Sequence, residues 1–225
     1  MSAMVTRLAM VLVLLLAMSG TCLAAAKGVL AEGFGAVAWG EDVGRRDGFM
    51  KLRSQDGIDY YVNLRERFEF KGYGKPTVFY GQAGGRLYAV HLRLKDGSGY
   101  DKLLAELRKI YGKGKLAKSD DGEVASWRTG PVRVKLKRDQ DGAVKLSFYY
   151  QPVAVTLDAL QADADPSAED LARMLPPGTP QVKSPSSAAP ASQEEYVGID
   201  VLKYLREGEK LLKVDIPRYR KNTQQ

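Results

Sequence analysis

The chain has 225 residues, 44% of them hydrophobic and 27% charged, with 34 Lys and Arg against 27 Asp and Glu. That apolar content excludes full-length disorder, and a single strongly apolar segment excludes a polytopic membrane protein. One Cys and one His exclude a disulfide framework and a Cys/His zinc site.

Residues 1–26 read as a cleaved signal peptide. A basic start ends at Arg7, an apolar run covers Leu8–Met18, and small residues follow up to Ala26, the favoured cleavage point. Lipidation at Cys22 is disfavoured, because Ser19 and Thr21 stand where a lipobox carries an apolar and a small residue. The expected destination is the periplasm, with secretion as the other option. Loss of Cys22 with the signal leaves a thiol-free chain, which suits an oxidising compartment.

Residues 27–153 are expected to form one α+β domain. They hold 24 Lys and Arg against 16 Asp and Glu. Five Asp-Gly pairs, at 47, 56, 96, 121 and 141, mark turns. Weak strand patterns run over Phe49–Arg53, Ile58–Asn63, Arg67–Lys71 and Thr77–Tyr80. Leu87–Leu94 alternates, with Tyr88, Val90, Leu92 and Leu94 on one face and His91 and Arg93 on the other. Tyr100, Leu103, Leu104, Leu107, Ile110 and Tyr111 then follow a helical rhythm over about 99–111, with Ser98 and Asp101 as its cap and Gly112 as its stop. Three further strands follow: Val124–Thr129, a stretch alternating Val132, Val134 and Leu136, and one alternating Val144, Leu146, Phe148 and Tyr150. These patterns predict an antiparallel sheet with the helix packed across it. One such helix is only about 20 Å long. It cannot cover eight strands, so the sheet is expected to curl, or its N-terminal part to fold over it.

Residues 154–192 read as a Pro/Ala/Ser-rich linker, with a short helix capped by Ser167 and Asp170. Residues 193–225 read as an amphipathic helix capped by Ser192 and Glu195, followed by a basic tail. Its apolar residues Tyr196, Ile199, Leu202 and Leu205 dock either on the domain or on a partner. The tail could reach acidic lipids.

No motif calls for a cofactor or a metal. His91 has no G-x-S-x-G elbow to serve, Asp139 lacks the twelfth-position Glu of a calcium loop, and the Gly-rich stretches at 72–74, 81–85 and 112–115 are turns. Glu66 and Glu69 are the only acids that suggest a carboxylate-based hydrolase. Trp39 and Trp127 read as core. What remains is a surface: Arg93, Arg133, Lys135, Lys137, Lys145 and Tyr149, together with His91, fall on the sheet face opposite the helix. The resulting expectation is a non-enzymatic binding module for a protein or an anionic envelope component. An envelope assembly or folding accessory is the alternative, and a hydrolase comes third. An exported protein is not expected to meet nucleic acid.

Overall fold

The computed structural model describes residues 29–65, 68–119, 122–139, 142–157, 166–176 and 198–208. Residues 1–26, read above as a signal peptide, together with Glu66, Arg67, Asp121, Asp141, Ser192, Glu195, Tyr196 and the basic tail lie outside these residues.

The centre is an open eight-stranded sheet, antiparallel throughout. A small hairpin, β1 (Gly33–Phe34) and β2 (Val37–Ala38), comes first, followed by a 3-10 turn at Val43–Arg45. The first meander contains β3 (Phe49–Gln55), β4 (Ile58–Asn63), β6 (Thr77–Ala83) and β7 (Arg86–Leu94), with the short β5 (Phe68–Glu69) set apart. Helix α1 (Tyr100–Tyr111) crosses to the second meander, β8 (Lys115–Ser119), β9 (Gly122–Thr129), β10 (Val132–Arg138) and β11 (Val144–Tyr150). Strands β7 and β11 pair, giving the order β3-β4-β6-β7-β11-β10-β9-β8. The edge strands β3 and β8 do not meet, so the sheet is neither a barrel nor strongly curled.

Local chemistry sets the turns. Asp56 (φ 51°) and Gly57 (φ 74°) close the β3–β4 hairpin, and Gly84 (φ 53°) and Gly85 (φ 74°) close β6–β7. Two successive positive φ values match the twist of paired strands. Helix α1 begins at Tyr100 after Gly99, which has no side-chain cap. Ser98 instead donates to Asp96 through its N–H (2.8 Å) and its hydroxyl (2.9 Å), forming a turn ahead of the helix. Gly112 ends the helix, and its carbonyl accepts from Trp127 Nε1 at 2.9 Å. Trp127 packs so tightly there that a Cβ on Gly114 would lie 2.4 Å from Nε1.

The coverage problem is solved by layers rather than by curling. On the first face, α1 contributes Tyr100, Leu103, Leu104 and Leu107. Phe34 of the N-terminal hairpin packs among Phe68, Phe148 and Tyr204, with ring centroids 5.1–5.5 Å apart. The rest of that face is closed by the C-terminal segment. β12 (Ile199–Asp200) pairs parallel with β5, and α4 (Val201–Glu207) buries Val201, Leu202, Tyr204 and Leu205. The helix is capped by Asp200, which accepts from Leu202 N–H at 3.0 Å, so it starts well after the Ser192–Glu195 start read from the sequence. Tyr204 Oη accepts from Gly35 N–H at 2.9 Å, and Arg206 pairs with Glu106 of α1.

The second face has its own cluster. Ile58, Tyr60, Val62, Phe79, Tyr88 and Tyr149 pack against Val153 of α2 (Gln151–Ala154) and Leu171 and Met174 of the segment bearing α3 (Ala168–Arg173). Tyr88 departs from the expected alternation. Gly81 pairs with Ala89 but Gln82 with Leu87, so Tyr88 is the extra residue of a bulge and turns to this face.

Tyr100 and Tyr111 bury hydroxyls that have no hydrogen-bond partner among the described residues. Burial, reinforced by Glu123, pushes the Tyr100 phenol up to about 12, and burial beside Tyr204 pushes Tyr111 up as well. Both values exceed the ordinary 10.0 of an unfolded tyrosine, so this stabilisation is complete below pH 10 and drains away as pH rises towards 12. Urea denaturation across that range should therefore show falling stability, and the Tyr100→Phe/Tyr111→Phe variant should flatten the fall. At pH 7 the same variant should match or exceed the parent, because no hydrogen bond is lost. Tyr204→Phe should instead cost about 1–2 kcal/mol, since it strands the Gly35 N–H.

Candidate anion-binding sheet face

Strand register decides which basic residues share a face. Arg93 lies opposite Lys145, and Lys145 opposite Lys137. One row on, His91 lies opposite Ser147, Ser147 opposite Lys135, Lys135 opposite Ser126 and Ser126 opposite Lys115. In the next row, Tyr149 lies opposite Arg133 and Arg133 opposite Arg128. All these residues are on the face away from α1, as alternation in the sequence implies.

The two halves of that face differ. Over β7 and β11, the segment 166–176 closes it. The predicted cap forms: Ser167 Oγ accepts from Asp170 N–H at 3.0 Å and Asp170 accepts from Ser167 N–H at 3.1 Å. Asp139 at the end of β10 accepts from Ala168 N–H at 2.6 Å and fixes the segment's entry. Leu171 is fully buried. Beneath it, His91, Ser147 and Lys145 are buried, and His91 Nδ1 lies 2.9 Å from Ser147 Oγ. Lys145 lays its stem along this cover and donates Nζ to the Pro166 carbonyl.

These positions correct the sequence reading in a physical way. Lys145 and Tyr149 are not surface residues, because residues 166–176, read as linker, carry an apolar face that needs burial. Arg93 is half-buried, with its Nε shielded and unpartnered among the described residues. His91 is buried rather than solvated, and a substrate cannot reach Ser147 Oγ without displacing α3. Leu202 and Leu205 are buried in the protein's own core and Ile199 is in β12, so this helix is not an open partner surface.

Over β8, β9 and β10, no described segment covers the other half. Arg133, Arg128 and Lys115 are exposed, and Lys135 and Lys137 are half-buried. Lys135 Nζ lies 5.0 Å from the Tyr149 ring centroid, a cation–π contact that fixes its stem, and Lys137 Nζ lies 3.3 Å from Asp139. Among the described residues, Arg128, Arg133 and Lys115 form no ion pair with an acid. Sequence reading missed Arg128 and Lys115. Arg128 follows Ser126 by two residues in a weak strand pattern, but only pairing with β10 places it beside Arg133.

The other candidates are accounted for structurally. Glu69 lies opposite Asp200, whose carboxylate caps α4. Trp127 is core, and Trp39 stacks on Tyr150 at 5.6 Å while donating Nε1 to the Leu30 carbonyl. Among the described residues, no group of three or more His, Cys, Asp or Glu side chains could hold a metal ion, and no helix is long and apolar enough to cross a membrane.

His91 is the chain's single histidine, which makes it a reporter for the closed half. A histidine-selective acylating reagent should leave the folded protein unmodified. Leu171→Asp should undock the segment and make His91 reactive, with far-UV circular dichroism essentially unchanged. Rapid modification of the parent would contradict the cover described here.

No protein-family model, no curated protein and no solved structure matches this chain.

Proposed function

We propose that this protein is an exported, non-enzymatic module that binds an anionic component of the cell envelope through the open half of its second sheet face. The observation that carries this reading is the Arg128–Arg133 pair. Like charges directly opposite each other on neighbouring strands destabilise a sheet, and these two have no acidic partner among the described residues. An anion bridging them would relieve that repulsion, and two guanidinium forks suit phosphate or carboxylate oxygens.

Protection against edge pairing does not explain them. Lysines serve that role on edge strands such as β8, whereas Arg128 and Arg133 stand on the interior strands β9 and β10. The signal-like residues 1–26 support an envelope setting, in which the accessible polyanions are lipid head groups, charged polymers and acidic proteins. The cis-docked C-terminal helix weakens the folding-accessory reading, which needed it exposed. The inaccessible His91–Ser147 pair and the capping role of Asp200 give a hydrolase little to work with.

The test is co-sedimentation of residues 27–225 with separated envelope fractions at moderate salt. Arg128→Glu/Arg133→Glu should weaken retention at least tenfold. Lys71→Glu/Lys75→Glu, an equal charge change at exposed positions beside β5, should change it less than twofold. Equal loss in both variants would reduce the binding to net charge and overturn the proposal.

A further inference from the structure

The two edges of the large sheet are built differently. At β3 the register slips between Lys51 and Arg53, leaving Leu52 as the extra residue of a bulge. Such an irregularity hinders a further strand from pairing. At β8 the register with β9 is unbroken from Lys115 to Ser119. Residues 115–118 are exposed throughout, and Leu116 is 51% exposed.

The hairpins fix which backbone groups of β8 face outward. Ser119 meets Gly122 across two residues, and Thr129 meets Val132 across two. Such closing pairs exchange their N–H and C=O groups, and bonded pairs then alternate along each ladder. Lys115 and Ala117 therefore bond to β9. Leu116 and Lys118 turn their N–H and C=O groups away from the sheet, and among the described residues no strand receives them.

The side-chain rows also run up to this edge. On the α1 side, Leu146, Leu136, Ala125 and Leu116 form an apolar row that ends on the exposed leucine. In the neighbouring row Arg138, Glu123 and Lys118 alternate in sign and end on a cation. Lys115 adds a second cation on the opposite face. An antiparallel strand continuing these rows would place an acid beside Lys118, an apolar residue beside Leu116 and an acid beside Lys115. Lysines at an edge repel another basic edge, and both edges of this chain are basic, since β3 exposes Arg53. They do not repel an acidic strand. We infer that β8 is a docking edge for an extended acidic segment of another protein, added as an antiparallel strand in the order acid, any residue, apolar residue, acid. Main-chain bonds to Leu116 and Lys118 supply affinity, and the alternate side chains supply specificity. This edge is separate from the Arg128–Arg133 pair and goes beyond the function proposed above.

Titration of residues 27–225 with a capped peptide of core sequence Glu-Thr-Ile-Glu, read by amide hydrogen exchange at moderate salt, tests it. Exchange at Leu116 and Lys118 should slow by about tenfold or more, whereas Lys115 and Ala117, already bonded to β9, should change little. Leu116→Pro removes an outward N–H without touching the β8–β9 ladder. It should abolish binding, with far-UV circular dichroism unchanged. Lys115→Glu/Lys118→Glu should shift preference to the Lys-Thr-Ile-Lys counterpart, a readout that stands even if the proline variant misfolds. Equal binding of the acidic peptide after N-methylation of its alternate amides would reduce the contact to charge and overturn the inference. So would binding without slower exchange at Leu116 and Lys118, or no binding at millimolar peptide. Self-association of the parent that Leu116→Pro removes would make a second copy the occupant and overturn it too.

Discussion

The pairing of β7 with β11 is the contact on which the rest of this structure depends. It joins residues 89–94 to residues 144–149 and turns two local meanders into one eight-stranded sheet. Leu92 opposite Leu146 and Val90 opposite Phe148 set the register, and both pairs are fully buried under the helical layer. A slip of one residue would move that apolar set to the other face and bring the basic set beneath α1. The same register that builds the core therefore aligns Arg93 with Lys145 and Lys137, and Tyr149 with Arg133 and Arg128.

The two faces of the sheet are handled differently. The first is closed by three pieces from distant parts of the chain: the N-terminal hairpin, α1 and α4. Phe34 of the hairpin and Tyr204 of α4 meet there with Phe68 of β5 and Phe148 of β11. Among the described residues, the second face is closed only over the strands where apolar residues dominate. A six-residue helix suffices because Leu171 and Met174 have a cluster of tyrosines and aliphatics to rest on. Where the outward positions are Arg128, Arg133, Lys135 and Lys137, there is little apolar surface to bury, and no described segment covers them. The boundary between cover and opening thus follows the side chains, with Asp139 at its margin holding both Ala168 N–H and Lys137.

Much of this was legible in the sequence where apolar periodicity was strong. Val132–Arg138, Val144–Tyr150 and helix α1 follow directly from spacing, and the Ser167–Asp170 cap from its motif. Three features were not legible, each for a tertiary reason. A bulge turns Tyr88 out of its alternation, and nothing local announces it. Burial of His91 and Lys145 depends on a segment some twenty residues downstream of β11, whose apolar stripe is only Leu171, Met174 and Leu175. The partnership of Arg128 with Arg133 is a property of pairing, and a single-strand pattern cannot contain it. The curl expected from too little helix was unnecessary, because covering layers arrive from both ends of the chain.

The central claim is that one half of one sheet face is a preorganised cationic surface while the other half is closed. Amide chemical-shift mapping of residues 27–225 during titration with inorganic phosphate addresses it most directly. The account predicts perturbations concentrated on Arg128, Arg133 and their neighbours on β9 and β10, with α1 and α4 silent. Perturbations confined to the basic residues after position 209, or spread evenly over every exposed lysine and arginine, would contradict it.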